Sequence, residues 1–196
     1  MGTGGDCMTL FHGSSVAGIR ELRPGLSNHG KPYVYLTHSP VLAAIYAHNP
    51  LTRPNGFFSY WWGKDGMLCY DEYFENQLEV IYSGQRGYVY TGQGEFPQLE
   101  KMPWVYLSES PVEVTEVSEI PDLYAQLLQY EQESLLRVRR WHEASEKQRE
   151  IWENVVRWSL QGTDVTTESG REYSAFVQKY FPNTKPSDPM RNGGKT

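Results

Sequence analysis

The sequence predicts an α+β fold, and three observations carry the prediction. Short runs rich in aromatic and β-branched residues, separated by turn residues, fill the chain up to about residue 120. Beyond that point apolar residues recur at helical spacing. The 196 residues suit one domain of ordinary size, or one domain with a helical appendage. The expected division is residues 1–120 as an α/β core, 121–182 as helices packed on that core, and 183–196 as a flexible polar tail.

Met8 to His12 is a short apolar run that ends in Gly13-Ser14-Ser15, the pattern of a strand entering a tight turn. Arg23-Pro24-Gly25 and Asn28 to Pro32 carry turn chemistry, and Tyr33 to Thr37 has the composition of a second strand. Thr37 or Ser39 then caps a helix with Pro40 in its first turn, continued by Val41 to Tyr46 and stopped by Asn49-Pro50. Phe57, Phe58, Tyr60, Trp61 and Trp62 cluster between turn signals, as either core strand or binding wall. Phe74, Leu78, Ile81 and Tyr82 predict a helix over 74–83, which Gly84 ends. Gly87 to Gly92, Trp104 to Leu107 and Val112 to Val117 read as strands. Strict alternation in the last puts its valines on one buried face and Glu113 opposite them. Leu123, Leu127, Leu128, Leu135, Val138, Trp141, Ile151, Trp152, Val155 and Trp158 then predict one or two long helices opened by Pro121. Asp164 to Gly170 reads as a loop and Glu172 to Phe181 as a last short helix.

Composition excludes several classes. The chain is 39% hydrophobic and 21% charged, with no apolar run near the roughly 18 residues of a membrane span. Tyr 14, Trp 6 and Phe 7 supply enough large side chains for a substantial core. A net charge of −6 argues against broad neutralisation of nucleic-acid phosphates. Arg137, Arg139, Arg140, Lys147 and Arg149 interleave with Glu131, Glu133, Glu143, Glu146 and Glu150, which reads as a salt-bridged, solvated helix. Cys7 and Cys69 form no CxxC pair, and His29, His38, His48 and His142 lack metal-ligand spacing, so no metal is expected. The N-terminus has no charged segment followed by an apolar stretch, and Gly2 lacks the Ser or Thr at position 6 of a myristoylation start. The expected location is cytoplasmic.

The chemistry-bearing pattern is a strand ending in His12-Gly13-Ser14, a strand containing Tyr35, and Tyr46 eleven positions later on a helix, with glutamates beside a late strand. LFHGS and YLTHSPVLAAIY resemble the first two motifs of the His-Tyr-Glu class of ADP-ribosyltransferases, the diphtheria-toxin and poly-ADP-ribose-polymerase type. The resemblance covers roughly Thr9 to Leu128. It implies a split, mostly antiparallel sheet around an NAD cleft, extended here by C-terminal helices. It also implies transfer of ADP-ribose from NAD to an unknown protein or nucleic-acid acceptor, with nicotinamide released. In the polymerase branch a serine three residues before the second tyrosine bonds nicotinamide, whereas Ala43 stands there.

The residue types suit that chemistry. Breaking the bond between nicotinamide and ribose builds positive charge on the sugar, which a neighbouring carboxylate stabilises. Tyr35 and Tyr46 are the expected stacking pair, Gly13 lets backbone approach the carboxamide, and His12 and Ser14 complete the NAD contacts, His12 holding a ribose hydroxyl. By resemblance the glutamate stands at a late strand, which points to Glu109 in LSESPVEV, with Glu113 as competitor. The catalytic set is therefore Glu109, His12 and Tyr46. RNA 2'-phosphotransferases also carry a His-Gly motif, but His-Val-His-Leu-Ser in their second strand is Tyr33-Val34-Tyr35-Leu36-Thr37 here. A non-catalytic nucleotide-binding or interaction module of the same fold is the remaining alternative.

Overall fold

Strand β1 (Met8–Ser14) is the axis of the larger sheet in the computed structural model, which describes residues 8–25, 31–49 and 59–182. Gly2, Cys7, the turn expected at Asn28 to Gly30, Phe57, Phe58 and the tail expected at 183–196 lie outside the described residues. β1 pairs antiparallel with β6 (Gly87–Gly94) from Met8–Gly94 to Ser14–Tyr88. On its other edge it meets β3 (Val34–Thr37) at Phe11–Thr37. β3 continues to β8 (Met102–Ser108), β8 to β7 (Gln98–Leu99), and β6 to β10 (Glu116–Ile120). The six strands run β10-β6-β1-β3-β8-β7, each antiparallel to its neighbours. A three-stranded sheet has the order β11 (Leu136–Arg139), β5 (Leu68–Asp71), β4 (Tyr60–Trp62), and β2 (Glu21–Leu22) pairs with β9 (Val112–Glu113). With five α-helices among the described residues, the chain is α+β with antiparallel sheets.

The chain forms two compact units. The first comprises Met1–Asn49, Trp62–Leu68 and Leu78–Arg137, the second Pro50–Trp61, Cys69–Gln77 and Val138–Thr196. In the first, alternation along β1 sends Leu10 and His12 to one face of the sheet and Gly13 to the other. The Leu10 face holds the buried cluster Leu10, Leu22, Val34, Leu36, Tyr90 and Val112, so the small β2–β9 sheet covers it through Leu22 and Val112. The Gly13 face carries α1 (Pro40–Ile45) and α3 (Leu123–Gln132). Ser39 caps α1 by accepting Leu42 N–H at 3.2 Å, Pro40 occupies the first turn, and Val41 to Ile45 are all buried. A Cβ on Gly13 would stand 1.8 Å from the Ala43 carbonyl oxygen, and one on Gly87 would stand 2.7 Å from Ala47 Cβ. Glycine lets helix backbone lie directly on strand backbone at Gly13, and lets the residue just past α1, Ala47, lie against Gly87.

The second unit is held by a partly buried ion pair and a buried amide. Arg139 makes a two-pronged contact with Asp71, Nε to Oδ1 at 3.0 Å, and lies 5.8 Å from the Trp61 ring centroid and 5.5 Å from that of Trp152. Gln77 is fully buried yet satisfied. Its Oε1 accepts Tyr73 N–H at 2.7 Å, and its Nε2 donates to Tyr70 at 2.9 Å and Ser59 at 3.0 Å. α4 (Glu146–Gln161) buries Trp152, Val156 and Leu160, and α5 (Glu168–Tyr180) brings Phe176 and Tyr180 against Phe74.

Several expectations are corrected. β1 does not turn at Gly13: it runs on through Ser14, because Gly13 serves packing and pairs with Val89. The helix expected over 74–83 is α2 (Gln77–Tyr82), since Asn76 at φ 60° cannot continue a helix backwards. Val112 to Val117 is two strands, not one. The chain leaves β9 where Thr115 bonds the Thr91 carbonyl through N–H and hydroxyl, and Val117 ends 52% exposed. The helical run from Pro121 is also broken. Ser134 adopts φ 58°, and Leu136 and Val138 are buried at a spacing of two on β11. Arg137 and Arg139 therefore sit on a strand and pair with Asp65 (2.7 Å) and Asp71, not with helical glutamates. α5 begins inside the expected 164–170 loop, where Thr167 caps it by accepting Gly170 N–H.

Gly13→Ala is expected to cost about 2 kcal/mol or more, because the clash is with backbone that no rotamer change relieves; a denaturant titration reads it as a lower midpoint. Asp71→Ala is expected to cost about 2 kcal/mol, less than a sealed pair would, because Arg139 is 36% exposed. Asp65→Ala, breaking the exposed pair with Arg137, should leave the midpoint where it was.

Candidate functional site

His12 is the best-defined polar group of the expected constellation. Its Nδ1 lies 2.8 Å from the Tyr35 carbonyl oxygen, at the seam where β1 and β3 meet. A carbonyl only accepts, so Nδ1 carries the proton and Nε2 presents a lone pair. Burial pushes the imidazole below its ordinary value of 6.5, against the opposing pull of the Tyr35 carbonyl. The ring is thus neutral at neutral pH, with a fixed tautomer and an acceptor at Nε2. Tyr90, opposite His12 on β6, donates its hydroxyl to the Val16 carbonyl at 2.6 Å and accepts Ile19 N–H at 3.3 Å. That pins the loop leaving the end of β1.

Gly13 lies under α1, with Ala43 and Ala47 backbone atoms at 1.8 and 3.0 Å from its Cβ position. Its open side is therefore taken by the helix. Ser14 Oγ accepts Val16 N–H at 3.1 Å, a local bond that closes the turn after the strand. Tyr35 pairs with Leu107 on β8, and its ring meets Tyr33 edge-on at 6.2 Å. Because Leu36 joins the Leu10 cluster, alternation directs Tyr35 to the face that carries α1. Tyr46 ends α1 on that same face, its N–H bonded to the Leu42 and Ala43 carbonyls at 3.3 and 3.1 Å, and it is 38% exposed.

Both candidate glutamates are exposed. Glu109 follows β8, two residues beyond Leu107, and its carboxylate is two-thirds exposed, 3.7 Å from Lys31 Nζ. Strand spacing and rise put it more than about 10 Å from His12. Glu113 sits exposed on β9, opposite Glu21 in the two-stranded sheet. The structure thus bonds His12 to the main chain of Tyr35, places Gly13, Tyr35 and Tyr46 on the face that carries α1, and turns the His12 side chain to the opposite face. Of the two glutamates, Glu109 directly follows the strand paired with that of Tyr35.

A further aromatic group stands at the other end of β3. His38 stacks on Trp62 at 5.6 Å, Trp62 lies 6.1 Å from Trp104, and both indole N–H groups are buried without an acceptor. The sequence holds His38 and Trp104 66 positions apart, and the register of Thr37 with Val105 brings their segments together. Among the described residues no cluster of three or more His, Cys, Asp or Glu is placed to hold a metal, and no helix is long and apolar enough to cross a membrane. No family model, curated protein or solved structure matches the chain.

A histidine buried in neutral form makes stability depend on pH. The contribution of His12 is complete above pH 6.5 and is lost as pH falls through 6.5 toward its lower folded value, because the unfolded chain takes up the proton first. The stability difference between wild type and His12→Asn should therefore shrink between about pH 7 and pH 5. Urea titrations across that range check it, and a difference that stays constant contradicts a buried neutral imidazole.

Proposed function

We propose that the chain binds NAD and transfers ADP-ribose to an acceptor, as an ADP-ribosyltransferase-like protein of the His-Tyr-Glu class. The observation that carries this reading is the bond from His12 Nδ1 to the Tyr35 carbonyl, which leaves Nε2 an acceptor suited to a ribose hydroxyl. Three further features support it: the antiparallel sheet with the His12 and Tyr35 strands adjacent, the helix that ends at Tyr46, and the exposure of Tyr46 for stacking. In the reaction, the bond between ribose C1′ and the nicotinamide nitrogen breaks with its electron pair leaving on nicotinamide. A lone pair of the acceptor then attacks C1′ and the acceptor loses its proton. A carboxylate beside the ribose stabilises the positive charge between these events, and Glu109 is the residue proposed for it.

Two observations favour the non-catalytic reading. Glu109 is exposed and paired with Lys31, and the side of Gly13 that faces α1 is filled by Ala43. A chain with an NAD-shaped pocket and a carboxylate held elsewhere would bind nucleotide without cleaving it.

Incubation with NAD while following free nicotinamide separates the two. Catalysis predicts release that falls about tenfold or more in Tyr46→Ala and about a hundredfold in Glu109→Gln, with Glu113→Gln unchanged. Binding detected by thermal shift without release establishes the non-catalytic module instead, and neither binding nor release refutes both.

A further inference from the structure

The six-stranded sheet ends on β10, and that end is bare. β10 pairs with β6 along one edge, and no described strand pairs with the other. Glu116, Val117, Ser118 and Glu119 are all exposed. Alternate backbone N–H and C=O groups of an edge strand point away from the sheet, and such an edge is a template for one more strand. β7, at the opposite end of the sheet, is only two residues long and offers no comparable template. We propose that β10 receives an extended basic segment of a partner protein as a seventh, antiparallel strand.

Charge selects that occupant. From Met102 to Leu136 the chain holds seven Asp and Glu and no Lys or Arg, and β10 lies within this stretch. Glu119 is paired with Arg86 at 2.9 Å, whereas Glu113 and Glu116 form no ion pair among the described residues. A second copy would add its own glutamates to the same seam, and like charges across a strand pair oppose it. A basic strand meets the same carboxylates with attraction. The register of β10 says where each side chain falls. Val117 stands opposite Tyr90 of the buried Leu10 cluster and so shares that face of the sheet, although it is 52% exposed. Glu116 stands opposite Thr91, on the face that carries α1 and α3. An antiparallel partner strand therefore sets a basic residue against Glu116, and the residue before it, apolar, against Val117. A second basic residue after the first runs on toward Glu113, which precedes Glu116 by three residues. Small polar residues suit the positions beside Ser118 and the already paired Glu119. The sequence Thr-Thr-Val-Lys-Lys meets all five conditions.

Fluorescence anisotropy of a labelled Thr-Thr-Val-Lys-Lys peptide tests this on the full chain. Saturable binding is expected below about 1 mM at low salt, weakening as salt screens the charges. Glutamate in place of the first lysine should weaken it about tenfold. A peptide N-methylated at the valine and one N-methylated at the next lysine lose N–H groups on opposite edges of the strand. One of the two should therefore lose binding about tenfold and the other keep it. Glu116→Lys should bind the lysine peptide about tenfold more weakly and prefer its glutamate counterpart. Its circular dichroism and melting should not change, because the residue is exposed. Absence of saturable binding overturns the proposal. So do two methylated peptides that behave alike, which is attraction by charge without a strand, or a Glu116→Lys variant that binds as wild type does. A dimer in sedimentation velocity that the peptide dissociates overturns it too, by making a second copy the occupant.

Discussion

The backbone contact between β1 and α1 at Gly13 is the constraint on which the first unit depends. With the Ala43 carbonyl 1.8 Å from the position a Cβ would take, there is no thickness of side chain between strand and helix. The height of α1 above the sheet is thereby set by two backbones, and Ala47, just past the helix, rests against Gly87 at another point. Everything on α1 inherits that placement. The five buried residues Val41 to Ile45 fill the space around the contact, and Tyr46 is delivered at the end of a helix too short to bend.

On the opposite face of the same strand the constraint is electrical. His12 has one nitrogen committed to a carbonyl and is pushed toward neutrality by burial. An imidazole so held neither drifts between tautomers nor attracts anions as a cation. It offers one directed acceptor. Neighbouring residues of one strand thus do unrelated jobs, Gly13 by having no side chain and His12 by having one whose proton is fixed. In the second unit the comparable constraint is Arg139, held to Asp71 by charge and flanked by two indole rings.

Strands β1 and β3, the cap at Ser39 and the helix ending near Tyr46 are legible in the sequence because each rests on local chemistry: β-branched and aromatic runs, a capping serine, a proline in the first turn. The error at Gly13 has a physical origin, since a glycine needed for close approach looks the same as a glycine needed for a turn. At Leu135, Leu136 and Val138 two periodicities overlap, and the left-handed Ser134 that decides between them has no strong residue signature. The partners of Arg137 and Arg139 lie about 70 residues away on elements of the β5 region, beyond any spacing rule. The bond between His12 and Tyr35 uses a main-chain carbonyl, an atom every residue has, so its side-chain partner reveals nothing in the sequence. The sequence points to Glu109 and Glu113 by order along the chain, and order along the chain carries no distance across a sheet.

Tyr90 fastens a loop to the interior. Its ring is sealed in the core beneath the sheet while its hydroxyl holds Val16 and Ile19 at the surface. The loop beside His12 is therefore tied to the middle of β6 by two bonds to one fixed hydroxyl, in addition to its covalent connection to β1.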